Sequence, residues 1–191
     1  MTETKRVAIT GGIGSGKSYV CRLLAAYGIS IYDCDDAAKR LMRTSAELRR
    51  QLTDLIGPDT YINNELNKAA VARFLLASSA NACAIDDIVH PAVASDFLSS
   101  GLQWLESAIL FESGFYRRIR FDAVVCVTAP DELRINRIMS RDAITREKAQ
   151  EWMARQWPQE EVLRRADYEI CNDGVLPLLP QIEKIIQKIN N

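Results

Sequence analysis

The chain of 191 residues has a single histidine, and its five cysteines form no C-x-x-C pair. That leaves too few ligands at suitable spacing for a zinc site. Cys21, Cys34, Cys83, Cys126 and Cys171 are odd in number and widely spread, which argues against a disulfide framework and for a reducing compartment with buried free thiols. No run approaches the ~20 apolar residues of a membrane-spanning helix. The opening segment Met1–Arg6 leads into only three apolar residues before a glycine loop, so no signal-peptide core is expected. Charge of one sign is lacking too: 24 Lys and Arg face 25 Asp and Glu, a net charge of −1. A protein held by nucleic-acid phosphates is ordinarily basic. Repeats, low-complexity tracts and Pro/Ser linkers are also missing. The expectation is a cytoplasmic protein with neither nucleic acid nor membrane as partner and no obligate protein partner evident.

What is present suits one soluble domain: 48% apolar and 26% charged residues, in a chain long enough to bury roughly 70% of its unfolded surface. Short apolar runs alternate with helical patterns, which implies an α/β fold with a parallel sheet. Strands are expected at Val7–Thr10, Ser30–Asp33, Trp104–Phe111, Ala123–Thr128 and Tyr168–Cys171. Helices are expected over Lys17–Tyr27, Asp35–Arg43, Ala46–Ile56, Asn67–Ala77, Pro91–Leu102, Asp131–Arg141, Arg146–Gln156 and Leu178–Ile189. About seventy residues separate the second strand from the third, far more than one crossover helix needs. The stretch of about 36–103 therefore reads as a helical substrate lobe set into a core of 1–35, 104–133 and 166–191.

Gly11-Gly12-Ile13-Gly14-Ser15-Gly16-Lys17-Ser18 fits G-x-x-x-x-G-K-[ST], and it lies between a strand and a helix as that motif requires. Its glycines let backbone N–H groups turn toward a polyphosphate, and the helix start adds partial positive charge. Lys17 would reach the β- and γ-phosphates, and the Ser18 hydroxyl would ligate Mg²⁺. The motif alone does not separate kinase, GTPase, motor and transporter. No N-K-x-D guanine reader and no L-S-G-G signature occur, and the expected third strand does not end in a Walker-B Asp. A small-molecule kinase suits these absences.

Ligands of open α/β sheets sit beyond the carboxyl ends of the strands. The second strand ends Asp33-Cys34-Asp35-Asp36: one acid would take an acceptor proton and another hold the Mg²⁺ water shell, or Asp35 or Asp36 would simply cap the following helix. Glu112, after the third strand, would bind metal-bound water or an acceptor hydroxyl, or else open a surface loop. Of the 24 cations 17 are Arg, ten of them between Arg117 and Arg165. Arg134, Arg137 and Arg141 share a helix face, and Ile135, Ile138 and Met139 form its packing face. With a break near Ala143 and a fresh start at Thr145, the segment of about 134–165 reads as a lid closing over polyphosphate, the alternative being a solvated charged face. His90, just before Pro91, reads on its own as a cap or surface residue.

Taken together, these pieces resemble the dephospho-CoA kinase family in order along essentially the whole chain. Ile9 through Ser18 matches its opening, Asp33-Cys34-Asp35 its D-x-D, Val89-His90-Pro91 its His-Pro, and Ile109 through Gly114 its L-L-F-E-S-G. Ser140-Arg141-Asp142, Arg165 through Ile170, and Asn172-Asp173-Gly174 follow. The resemblance implies a P-loop nucleotide kinase fold, with a five-stranded parallel sheet flanked by helices, a helical lobe and a lid. It implies ATP-dependent phosphorylation, with Mg²⁺, of the ribose 3′-hydroxyl of dephospho-CoA, the last step of coenzyme A synthesis. Asp35 then matches the catalytic base, with Lys17 and Arg141 stabilising charge. Gly12, Ile13, Gly14, Ser15, Gly16, Lys17, Ser18, Tyr19, Arg137 and Asn172 would bind ATP, with Asn172 beside the adenine. Asp33, Asp35, His90 and Glu112 would bind the acceptor. Tyr19 replaces the usual Thr, Ala108 the usual Pro, and Ala94 a frequent Arg. Another P-loop kinase of a nucleoside or nucleotide, or a non-catalytic nucleotide-binding switch, are the rival readings.

Overall fold

A computed structural model describes residues 5–191; Met1–Thr4, at the start of the expected core, lie outside the described residues. In chain order the elements are β1 (Val7–Thr10), α1 (Lys17–Ala25), β2 (Ile31–Asp33), α2 (Cys34–Thr44), α3 (Ala46–Ile56), β3 (Tyr61–Ile62), β4 (Glu65–Leu66), α4 (Lys68–Ala77) and α5 (Ser79–Ser100). Then come β5 (Trp104–Glu106), β6 (Ala123–Thr128), α6 (Asp131–Asp142), α7 (Arg146–Ala154), α8 (Gln159–Leu163), β7 (Tyr168–Cys171) and α9 (Leu178–Asn190). The chain divides into two units: one runs to Tyr32 and resumes at Leu102, and the other is Asp33–Gly101.

The first unit is built on a five-stranded parallel sheet of order β2-β5-β1-β6-β7. β1 is central, and all four of its residues are fully buried, as expected for a strand covered on both faces. Val7, Ile9, Val125, Val127 and Ile170 from the strands join Val20 and Leu24 of α1 and Ile182 and Ile185 of α9 in one core. Because β1 is paired on both sides, its carboxyl end delivers the glycine loop to the middle of the sheet, where open α/β sheets bind ligands. A second cluster, of Ile135, Ile138 and Ala149 with Ile13 and Trp152, packs α6 and α7 around the loop.

Two expectations about element boundaries are corrected. The third strand of the sequence reading, Trp104–Phe111, stops at Glu106. Its partner β1 offers Val7, Ala8 and Ile9 to Trp104, Leu105 and Glu106, and the ladder ends with Ser107 N donating to Ile9 O at 3.0 Å. Beyond that β1 turns into the loop, and residues 109–116 wind into turns that bury Leu110 and Phe111. The second correction concerns Pro91, expected at a helix start but lying inside the 22-residue α5. An interior proline forfeits a backbone bond at roughly 3 kcal/mol. Ile85, Val89, Val93 and Phe97, four apart and all buried, carry the apolar stripe straight through it, and their burial outweighs that cost.

In the second unit α5 packs with α2, α3 and α4, and Leu48 and Leu52 of α3 are buried with the α5 stripe. β3 and β4 form a two-residue hairpin not foreseen in the sequence, turning through Asn63 and Asn64 at φ 49° and 71°. Asparagine tolerates that left-handed pair better than other side chains do.

Candidate active site

The P-loop is shaped from behind by side chains of α6 and of the residue after β7. Arg134 Nε donates to Ile13 O at 3.0 Å, and Arg137 Nη1 donates to Gly14 O and Ser15 O, both at 3.2 Å. Asn172 Nδ2 donates to Ser15 O at 2.8 Å, and Arg137 Nη2 in turn binds Asn172 O and Oδ1 at 3.1 and 3.2 Å. In a trans peptide the C=O of one residue and the N–H of the next point opposite ways. Gripping the carbonyls of residues 13 to 15 therefore turns the amides of Gly14, Ser15 and Gly16 away from the arginines. Ser15 N is satisfied by Gly12 O at 3.1 Å. Gly16, at φ 89°, opens α1 with no side-chain cap; Tyr19 N bonds back to Gly16 O at 2.9 Å, and the remaining amides of such a helix start suit an anion. A Cβ on Gly16 would collide with Asn172 Nδ2, and one on Gly14, at φ 79°, would lie 2.7 Å from Arg134 O. Both positions require glycine on two counts.

Lys17 and Ser18 occupy the first turn of α1. The Lys17 ammonium forms an ion pair with the Glu106 carboxylate at the end of β5, both side chains being 11% exposed. Ser18 and Tyr19 are exposed, and the Arg22 guanidinium lies over the Tyr19 ring. The Ser15 hydroxyl is buried without a hydrogen-bond partner.

The arginines expected on one lid face have separate roles in the structure. Arg134 is 4% exposed, also reaches Asp131 at 3.1 Å, and lies against Gly12 and Gly14. Arg141 is exposed and forks onto the neighbouring Asp142 carboxylate, Nη2 to Oδ2 at 2.7 Å. Glu112 does not close a strand: its Oε1 accepts from Trp157 N at 3.2 Å, while Oε2 is buried without a partner.

Asp33, Asp35 and His90 belong to the second unit. Asp33 is the N-cap of α2, accepting from Asp36 N at 2.9 Å. The capping role considered for Asp35 or Asp36 thus falls to Asp33. Asp35 stands exposed in the first turn, and Asp36 pairs with Lys39 at 3.1 Å. His90 lies within α5, its side chain 14% exposed and its Nε2 3.5 Å from Asp86 Oδ1. Buried thiols were expected throughout; Cys34 and Cys126 are buried, but Cys83 is exposed.

Two residues at the loop escaped the sequence reading. Gln156 Oε1 accepts from Ile13 N at 2.7 Å, tying the end of the α7 segment to the P-loop. Glu106 was passed over because the apolar run Ile109-Leu110-Phe111 drew the expected strand end to Glu112. The early break of the β1 pairing at Ile9, two residues before Gly11, is the signal that would have found it.

A family model described as dephospho-CoA kinase matches residues 5–177. Among curated relatives, a dephospho-CoA kinase of Bacteroides fragilis is 39% identical across 95% of this chain and 91% of its own length. Another from Chlorobaculum tepidum is 36% identical, covering 96% and 94%. A crystal structure of a Thermus thermophilus protein superposes with a TM-score of 0.83 at 30% identity, covering 96% of both chains. A shikimate kinase from Acinetobacter baumannii, at 16% identity, a TM-score of 0.56 and coverage of 98% and 94%, shares the fold. With the match running through the phosphate loop and the inserted helices alike, the chain belongs to the dephospho-CoA kinase family.

Proposed function

We propose that this protein transfers the γ-phosphoryl group of ATP to the ribose 3′-hydroxyl of dephospho-CoA, giving coenzyme A and ADP, and that it works in the cytoplasm. The observation that carries this reading is the family match over residues 5–177, which takes in both the P-loop unit and the whole inserted helical unit. The acceptor oxygen forms its bond to the γ-phosphorus as the bond to the β,γ-bridging oxygen breaks. The acceptor proton passes to Asp35, whose carboxylate is exposed in the first turn of α2. Lys17, the loop amides and Arg141 balance the charge on the phosphates. Since the transition state of such transfers is loose, positioning and charge outweigh base strength.

Mg²⁺ fits the donor set. Ser18 offers an exposed hydroxyl in the first turn of α1, and among the described residues no three His, Cys, Asp or Glu side chains cluster as a metal cage. That matches an ion carried chiefly by phosphates and water, with one or two protein oxygens. When bound it would neutralise charge across the β- and γ-phosphates.

The test is chromatographic detection of coenzyme A from ATP and dephospho-CoA, beside a panel of nucleosides, nucleotides and shikimate. Preferential transfer to a nucleoside would overturn the acceptor; ATP binding without consumption across the panel would favour a switch. Asp35→Asn should lower kcat on the order of a hundredfold, the lower end for a general base, with little change in ATP affinity. Wild-type turnover in that variant would remove Asp35 from its role.

A further inference from the structure

The acid that meets the P-loop lysine is Glu106, the last residue of β5, in register with Ile9 of β1. Both side chains are 11% exposed. A charge this far out of water needs a partner, and removing one member leaves the other uncompensated. The ammonium of Lys17 therefore already has its counter-ion before any phosphate arrives. The rest of the loop is gripped by Arg134, Arg137, Asn172 and Gln156 through its backbone, so Lys17 is the one charged loop side chain whose partner a polyphosphate must replace.

We propose that Glu106 is a positioning residue that acts through Lys17: it holds the ammonium ready at the loop and yields it to the incoming phosphates, so that nucleotide affinity is set by the exchange of one anion for another. This rests on the reading of the loop as a polyphosphate cradle and is independent of which acceptor is phosphorylated. The exchange is favourable because a triphosphate brings several negative charges, and the loop amides with it, against one carboxylate. The cost of breaking the resting pair is subtracted from the affinity.

Inorganic tripolyphosphate in EDTA, titrated calorimetrically, isolates this step from both metal and acceptor. Glu106→Gln keeps the side chain's shape and removes its charge. It should bind tripolyphosphate tighter on the order of tenfold, within the range found for contacting residues in double-mutant cycles. In a Lys17→Met background the same Glu106→Gln change should bring little of that gain. KM for ATP in Glu106→Gln should fall in step with the tighter binding. Glu106→Asp, which keeps the charge but shortens the reach, should give a smaller gain of the same sign, and it decides the matter if Glu106→Gln does not fold. Equal affinity in wild type and the Glu106 variants overturns the proposal, as does an equal gain with and without Lys17, which would mean a general field. Failure of tripolyphosphate to bind wild type at all would overturn the cradle reading and this proposal with it.

Discussion

Arg137 offers the sharpest test of how the loop is held. Its guanidinium makes four hydrogen bonds, two to the carbonyls of Gly14 and Ser15 and two to Asn172. In Arg137→Ala, Ser15 O keeps its bond from Asn172 Nδ2, but Gly14 O loses the guanidinium. A hydrogen bond to a charged group is worth about 1.5–3 kcal/mol net. The four share one side chain and do not add, so the expected loss is about 2–4 kcal/mol. For a chain of this size each kcal/mol moves the melting temperature by about 2–4 °C, giving a fall of about 4–16 °C. Differential scanning calorimetry without nucleotide reads this directly. Arg137→Lys should recover less than half, because one ammonium cannot span both carbonyls and the Asn172 amide. Combined with Asn172→Ala, the losses should fall short of additivity by about 1 kcal/mol, since both side chains grip the Ser15 carbonyl. The opposite pattern, a wild-type melting temperature without nucleotide and a loss confined to ATP affinity, would refute the brace and make Arg137 a direct phosphate ligand.

Three other perturbations probe the loop and the thiols. Gly16→Ala forces an L side chain into a left-handed conformation, at about 1–2 kcal/mol, and pushes its Cβ onto the Asn172 amide; ATP affinity by calorimetry should fall at least on the order of tenfold, and unchanged affinity would contradict the geometry. Ellman's reagent on the native protein should find Cys83 at once and Cys126 only after denaturation, with the fast phase lost in Cys83→Ser. Burial, then the nearby Glu169, pushes the Cys126 thiol up to about 12 from an ordinary 9.0. As pH rises through that window the unfolded chain releases this proton and the folded chain keeps it, so stability declines. The decline should be shallower in Cys126→Ala, and identical slopes would show that the thiol titrates alike in both states.

Local patterns made most elements readable. β1, β6 and β7 lie over their expected spans, and α3 matches its expected span from the Ser45 cap onward. The reading failed where a local rule competed with a longer-range one. Ile109-Leu110-Phe111 is as apolar as a strand, yet β1 had no backbone left to pair with it. Pro91 is a sound helix-start signal, yet the four-residue spacing of Ile85, Val89, Val93 and Phe97 continued across it and prevailed. In the Asn63-Asn64 hairpin each strand has only two residues, too short for alternation to register.

The site was legible to a different depth. G-x-x-x-x-G-K-S announces where a polyphosphate goes because its chemistry is local: a strand end, a turn, and the first turn of a helix. What makes the turn hold its shape comes from far along the chain, and nothing in a basic helix says whether a guanidinium faces solvent, phosphate or a carbonyl. Spacing put Arg134, Arg137 and Arg141 on one face, which favours a single shared role. The structure divides them, since the first two lie over the carbonyls of Ile13, Gly14 and Ser15 while the third turns to Asp142, the last residue of the helix. This division accounts for part of the arginine surplus in a chain that is neutral overall. Guanidinium groups held on loop carbonyls turn the loop amides away from themselves. A lysine, with one compact ammonium, could not hold Gly14, Ser15 and Asn172 from a single side chain.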